Sequence, residues 1–330
     1  MKISRIVCSI LLISVIIFTC FYGVYKIGAE NYIVKQEDYQ DVLTLWQIDN
    51  FEGGTGSRKQ FLMSVARKFE KNNKGILIMV LNLTKEGAEE NFNNGIFPDM
   101  ISYGHGVEVK NVSEFVPVNT VKGGLVDDRV YATAWCRGGY VMIKNPNFKN
   151  SGNADECIIV SQGEYTQPLT ALCMEEIDVK SVKMLSPMDA YVKFVSGKAK
   201  YFLGTQRDVN RLSSREMLVE IVPFEKYNDL YQYISITSID GVKKYYSKEF
   251  INYLVSEKIQ KELNKIGMMS CYYSVDFENE NLTIMQSVKN NFLSLSIFTP
   301  TQNLIELRGL SLSAVYGNKD AKIKIKNILI

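Results

Sequence analysis

The stretch Leu43–Arg58, LTLWQIDNFEGGTGSR, constrains the fold more than any other part of the chain. Val42 to Trp46 reads as a strand, Gly53, Gly54 and Gly56 as a tight turn, and Ser57 to Gln60 as a capping box. Phe61, Leu62, Val65 and Phe69 then follow at helical spacing. A strand running through glycines into a helix N-terminus leaves backbone N–H groups at one strand end, where open α/β sheets bind their ligands.

The pattern repeats downstream. Asn72 to Gly75 stops the first helix, and Ile76 to Leu81 is an apolar run of strand length. Thr84 starts a second helix, Gly95 ends it, and Pro98 to Ser102 resumes as a strand. This β-α-β-α-β order predicts a parallel, helix-covered sheet with right-handed crossovers. Three loops converge on its ligand edge: Trp46 with the glycine turn, Asn82 to Thr84, and Tyr103 to Gly106.

Tyr131 to Asn145 reads as two extended segments around Gly138 and Gly139. Further on, Pro187 to Ser196 is a helix, Tyr201 to Leu203 and Ile234 to Thr237 are strands, and Ser247 to Ile266 is one long periodic helix stopped by Gly267. A helix over Leu282 to Leu295 and a weakly patterned tail complete the reading. With 330 residues, 46% of them hydrophobic, two modest cores are expected rather than one.

Ile6 to Tyr25 carries no charge and is flanked by Lys2, Arg5 and Lys26. As a helix it spans about 30 Å of hydrocarbon, and the flanking positives place everything after Lys26 outside the cytoplasm. Residues 1–29 are therefore either a retained membrane anchor or a signal peptide cut after the small residues Gly28 and Ala29. Bulky Phe18 near Cys20 argues against a lipid-modified cysteine. Of 38 basic and 36 acidic residues, the first thirty hold Lys2, Arg5, Lys26 and Glu30, so the exported part is neutral. Neutrality argues against a nucleic-acid partner, whose phosphates demand a basic surface. Four of the six cysteines, Cys136, Cys157, Cys173 and Cys271, are exported at irregular spacing; they read as buried thiols or as a Cys157–Cys173 disulfide.

Five segments in order resemble the extracellular solute-binding proteins of ABC importers, the family 1 branch of Gram-positive type: LTLWQIDNFEGGTGSR, FPDMISYGHG, VYATAWCRGGYVMI, VSGKAKYFLGTQRDVNRL and SKEFINYLVSEKIQKELNKIGMMS. The resemblance covers roughly residues 41–275. It implies an α/β, two-lobed periplasmic-binding-protein-like fold of type II, each lobe a helix-covered, mainly parallel sheet, with hinge strands between lobes and a guest held by closure. Lobe 1 takes 41–135 plus 231–266, and lobe 2 takes 140–222 plus 268–330. The partners it implies are a small solute, most of all a sugar or oligosaccharide, ABC permease subunits, and the membrane through the N-terminal segment. No cofactor and no metal are expected. The chain is short for the family and its second lobe is trimmed, so the alternative is a membrane-tethered sensor or interaction protein on the same fold.

On that frame Trp46 and Trp135, the only tryptophans, are either stacking platforms for a pyranose or core aromatics. Glu52 is placed to accept from hydroxyls, and Thr55, Gly56 and Ser57 to donate from the turn, unless Ser57 serves as a cap alone. Arg207 and Asp208 supply a donor fork and an acceptor suited to vicinal hydroxyls or a carboxylate, or are a pair that pins its own loop. Tyr103 and Tyr140 are further rim and stacking candidates. His105, the lone histidine, lacks the neighbours of a metal site and reads as a surface or capping residue. The turn lacks both the GxxxxGK spacing and the third glycine of GxGxxG. Neither GxSxG nor HExxH occurs, so no catalytic role is expected.

Overall fold

The structure is a computed structural model that describes residues 12–19, 22, 40–148, 157–177, 179–288 and 291–330. Most of the proposed anchor, with Cys20 and the cleavage site at Ala29, lies outside the described residues. Residues 12–19 are helical, and no helix among the described residues is long and apolar enough to cross a membrane.

Among the described residues, twelve strands build two five-stranded sheets and one small hairpin. The first sheet contains β1 (Asp41–Ile48), β2 (Ile76–Leu83) and β3 (Met100–Tyr103). The hairpin is β4 (Leu125–Val126) with β5 (Arg129–Val130), and β6 (Thr133–Arg137) returns to the first sheet. The second sheet contains β7 (Tyr140–Lys144), β8 (Cys157–Ser161), β9 (Ser181–Leu185), β10 (Tyr201–Thr205) and β11 (Glu220–Pro223); β12 (Tyr231–Ile236) closes the first. Their orders are β2-β1-β3-β12-β6 and β11-β7-β10-β8-β9. β1 pairs parallel with β2 and β3, and β8 with β9 and β10, while β12 and β7 run antiparallel to their neighbours. Each sheet with its helices is one lobe.

Local sequence explains the first lobe. Ser57 accepts from the Gln60 N–H and starts the helix Arg58–Asn72, whose Phe61, Leu62, Val65 and Phe69 pack with Leu43 and Leu45 of β1. Each such side chain contributes roughly 1.5–3 kcal/mol on burial. The other sheet face buries Trp46, Ile48 and Ile101 against Ala88 and Phe92 of the helix Lys85–Asn93. β2 is an edge strand, so its apolar run is buried on one face only: Ile76, Ile78 and Val80 are inside, while Leu77 and Met79 are exposed.

The two extended segments around Gly138 do not form a hairpin. β6 ends the first sheet and β7 enters the second, so the glycines are a crossing between lobes. The return from β11 to β12 runs beside it, with Gly138 N–H donating to the Leu230 carbonyl over 2.6 Å. A third crossing pairs Arg137 with Met269 through two backbone hydrogen bonds. Gln206, fully buried, accepts from the Gly139 N–H over 3.1 Å and locks the crossing to the second lobe.

Three expectations about helices are corrected, and the two readings of the cysteines are decided. The long periodic helix begins earlier, at Gly241 behind the Asp240 cap, and breaks after Leu254. It resumes as Glu257–Gln260 and then a 3-10 segment, Lys261–Ile266. Gln260 explains the break: its side-chain amide donates to the orphaned Leu254 carbonyl and to the Trp135 carbonyl, tying the break to β6. The helix over Leu282 to Leu295 is shorter, Glu280–Ser287, and Leu295 lies outside it. The weakly patterned tail forms two helices, Thr301–Val315 and Lys319–Ile328, which bury Leu304, Leu307 and Ile325 in the core of the second lobe. Cys136, Cys157, Cys173 and Cys271 are all thiols, so the Cys157–Cys173 disulfide is not formed.

Candidate functional site

A cleft of about 770 Å³ lies between the lobes. Its walls come from the carboxyl ends of five strands: Asp49 to Arg58 after β1, Asn82 to Glu86 after β2, Gln162 to Tyr165 after β8, Pro187 after β9 and Arg207 after β10. This is where parallel strands present loops and helix N-termini to a ligand.

Arg58 organises the wall of the first lobe. At 3% exposed, it sits on the buried face of its helix, in register with Phe61, Leu62 and Val65. Its Nε is 2.6 Å from the Asp49 carboxylate, Nη2 donates to the Phe51 carbonyl over 2.6 Å, and Nη1 donates to Gln232 Oε1 over 2.9 Å. The same guanidinium lies 4.4 Å from the centre of the Phe51 ring, a cation–π contact that fixes the ring. Phe51 in turn packs against the cores of both lobes.

Two polar contacts cross the cleft. Arg207 of the second lobe pairs with Glu52 of the first at 3.2 Å, both side chains about one-third exposed. Lys85 of the first lobe donates to the Tyr165 hydroxyl over 3.1 Å, with its Nζ 4.6 Å from the ring centre. Burial lowers the Lys85 pKa, but the bond to Tyr165 and the attraction of Tyr165 and Glu89 outweigh it, so the net shift is upward. The ammonium is thus held charged. Asp49, Glu52, Glu86 and Glu164 face Arg58, Lys85 and Arg207, so the cleft is nearly balanced in charge.

The sequence candidates divide. Glu52, Thr55, Gly56, Ser57 and Arg207 line the cleft. The Thr55 and Gly56 N–H groups already donate to the Ile266 carbonyl over 3.0 and 3.3 Å, so these two donors are spent inside the protein, while the Ser57 hydroxyl accepts from the Gln60 N–H as a helix cap. That closeness requires Gly54: any Cβ there would collide with the backbone of Ile266 and Gly267.

The other candidates lie in interiors. Trp46 packs on Phe92 at 5.6 Å between ring centres. Trp135 is fully buried, stacks on Phe61 at 5.7 Å and donates its indole N–H to Ser102 over 2.9 Å. Tyr103 bonds Ser235 over 3.0 Å. Tyr140 donates to Asp229 over 2.7 Å beside the crossing. Asp208 caps its own helix, accepting from the Thr205 N–H over 2.9 Å. Sequence reasoning missed Phe51, Arg58, Lys85 and Tyr165. For Arg58 a signal existed, because positions 58, 61, 62 and 65 share one helical face.

His105 is buried rather than on the surface or in a cap. Both ring nitrogens lack a hydrogen-bond partner, and the ring meets Tyr233 edge-on at 6.2 Å. Burial lowers its pKa to about 4. The unfolded chain therefore takes up a proton below about pH 6.5, while the folded chain does so only near 4, and His105 costs stability as pH falls through that window. Asp208 and Asp229, pushed up to about 7 by burial, act in the opposite sense: they stabilise as pH falls from about 7 to 4. Replacing His105 with Phe keeps the ring and removes its titration. The variant should gain on the wild type by about 3 kcal/mol between pH 7 and pH 4. Urea unfolding at three pH values measures this, and a pH-independent difference would contradict it.

No protein-family model matches the chain, and no curated protein matches it in sequence. Its fold does match solved structures. A family 1 extracellular solute-binding protein from Bifidobacterium longum subsp. infantis aligns with a TM-score of 0.59 at 12% identity, covering 88% of this chain and 98% of that one. The maltose/maltodextrin-binding domain MalE from Bdellovibrio bacteriovorus, bound to maltotriose, aligns at 0.53 and 13% identity over 87% and 97%. A two-component system protein that mediates signal transduction aligns at 0.51 and 12% over 81% and 100%. The chain has the two-lobed fold of these proteins.

Proposed function

We propose that this chain captures an uncharged polar solute, a sugar or oligosaccharide, in the interlobe cleft on the outer side of the cell membrane, and delivers it to the permease subunits of an ABC transporter. The observation that carries the proposal is the cleft itself. Strand ends of both lobes line it, its charges nearly cancel, and Phe51 and Tyr165 are among its lining beside carboxylates and cations. A neutral guest with many hydroxyls satisfies such a wall without leaving an ion unpaired. The maltotriose bound by the Bdellovibrio protein on the same fold supports a carbohydrate of that size. In this reading residues 41–135 with 231–266 and residues 140–222 with 268–330 move as two bodies about the three crossings, and residues 1–29 tether the chain or are cleaved.

Titration calorimetry with maltotriose, glucose, amino acids and polyols tests the proposal. Heat with a carbohydrate alone supports it; silence across the panel, or binding of amino acids only, overturns it. Glu52 and Arg207 report on closure. Arg207→Glu opposes two carboxylates across the cleft and should weaken carbohydrate binding at least tenfold, while stability changes by less than about 1 kcal/mol because the pair is partly solvated. Adding Glu52→Arg reverses the pair and should restore affinity.

The likeness to a two-component system protein over that protein's whole length favours a second reading, a sensor using the same cleft. Crosslinking in cells separates the two: permease subunits as the crosslinked partner favour transport, and a histidine kinase favours sensing.

A further inference from the structure

The end of the first lobe opposite the cleft has an apolar surface of its own. Parallel β1, β2 and β3 send their carboxyl ends toward the cleft, so their amino ends share the far pole, where antiparallel β12 finishes. There the Asp41 N–H donates to the Gly75 carbonyl over 3.1 Å, and the Thr237 and Ser238 N–H groups donate to the Asp99 carbonyl over 3.0 and 3.2 Å. Lys243, in the first turn of the helix Gly241–Leu254, donates to the Val42 carbonyl over 3.3 Å and lies 3.5 Å from Asp41 and 3.7 Å from Asp99. These contacts gather the starts of the three strands and the exit from β12 at one place.

Large apolar side chains stand in solvent at this pole. Ile239, in the turn between β12 and the helix, is 92% exposed. Val242 and Tyr245 in the helix, Leu77 at the start of β2 and Ile96 before β3 are each about half exposed, and Val42, the register partner of Leu77, is exposed as well. Single exposed apolar residues are ordinary, but a cluster of them marks a surface that meets something apolar. Lys74, in the turn before β2, and Lys244, in the first helical turn, add positive charge. The nearby acids are engaged: Asp41 and Asp99 are set against Lys243, and Asp240 caps the helix.

The chain enters the fold at the same pole. Gln40 precedes β1, and fourteen residues, 26–39, separate it from the end of the uncharged run at Tyr25. Fully extended, that length spans at most about 50 Å, so a retained anchor keeps the pole within this distance of the bilayer. Resting on the reading above in which residues 1–29 stay as a tether, we infer that this pole sits on the bilayer surface. Ile239, Val242 and Tyr245 enter the headgroup layer, and Lys74 and Lys244 meet lipid phosphates. Aliphatic side chains flanked by a tyrosine and lysines are the composition that settles in a membrane interface. The eight residues of β1 then hold the cleft about 25 Å off the surface, open to solvent for loading.

The full-length chain reconstituted in vesicles of phosphatidylcholine and phosphatidylglycerol tests the contact, with Ile239→Trp as a depth probe. Trp46 and Trp135 are buried, so the introduced indole is read as the difference from wild type. Acyl chains brominated near the glycerol should quench it by about half, with a blue-shifted emission relative to the same variant in detergent. Leu218→Trp, at an exposed site of the second lobe, should stay unquenched. Adding Val242→Ser and Tyr245→Ser to Ile239→Trp should remove most of the quenching and leave carbohydrate titration unchanged, because the cleft is at the opposite strand ends. No quenching at position 239, equal quenching at both positions, or quenching indifferent to the two serines would overturn the inference, as would recovery from cells of a chain beginning after Ala29. Absent quenching together with crosslinking of the chain to itself through this pole gives the surface to a second copy and overturns the membrane contact. Quenching in a chain that binds no carbohydrate keeps the membrane contact and defeats the transport reading alone.

Discussion

Replacing Arg58 with Met should lower the unfolding free energy by about 3 kcal/mol and abolish solute binding, the largest functional effect expected of any single change in the cleft. Arg58 is 3% exposed and holds three acceptors at once: Asp49, the Phe51 carbonyl and Gln232. Methionine fills much of the volume but leaves the carbonyl and the Gln232 oxygen without a donor. Asp49 is 41% exposed, so water takes up its share, which keeps the cost at the low end for a broken buried pair. The binding loss follows from Phe51, whose ring is set by the same guanidinium. Lysine at position 58 keeps the charge without the fork and should recover only part of both effects. Urea unfolding with calorimetry against the ligand of the wild type separates the two; a stability loss below about 1 kcal/mol would show that Arg58 is not the organiser described.

Trp135→Ala should cost about 3–5 kcal/mol, the range for emptying a fully buried aromatic site. Trp135 is completely enclosed, stacked on Phe61, and gives its indole N–H to Ser102. Trp135→Phe keeps most of the volume and should leave solute affinity unchanged within twofold, because the ring lies in the core and not on the cleft wall. Phe51→Ala is the informative contrast. It removes a ring that touches both lobes and the cleft, so affinity should fall at least tenfold while stability falls less than in Trp135→Ala. Should Trp135→Phe weaken binding as much as Phe51→Ala, the tryptophan reaches the ligand after all and the cleft has been drawn in the wrong place. Denaturation midpoints and titrations of the three variants decide between the outcomes.

Legibility in the sequence followed the range of the forces involved. The β1 strand, the Ser57 cap and the helix behind it, and the Gly267 stop were readable because each rests on hydrogen bonds or periodicity within a few residues. The break after Leu254 was not readable, because Gln260 makes it by reaching to Trp135 as well as to Leu254. The C-terminal helices were missed for a similar reason: their apolar pattern is weak, and they are held by Leu304, Leu307 and Ile325 meeting the core of the second lobe. Aromatic rings misled most. A tryptophan at a strand end has the same sequence signature whether it stacks on a ligand or on Phe92, and the facing helix chooses between them.

From residue order alone came the α/β alternation, the side of the first sheet that carries its loops, and the glycine turn at its rim, since backbone sterics, capping and hydrophobic period act locally. The pairing of Arg58 with Gln232 across 174 positions, the Glu52–Arg207 contact between lobes and the burial of His105 came only with the folded chain. They depend on which surfaces meet once two sheets are joined by three crossings, and no short window of sequence encodes that meeting.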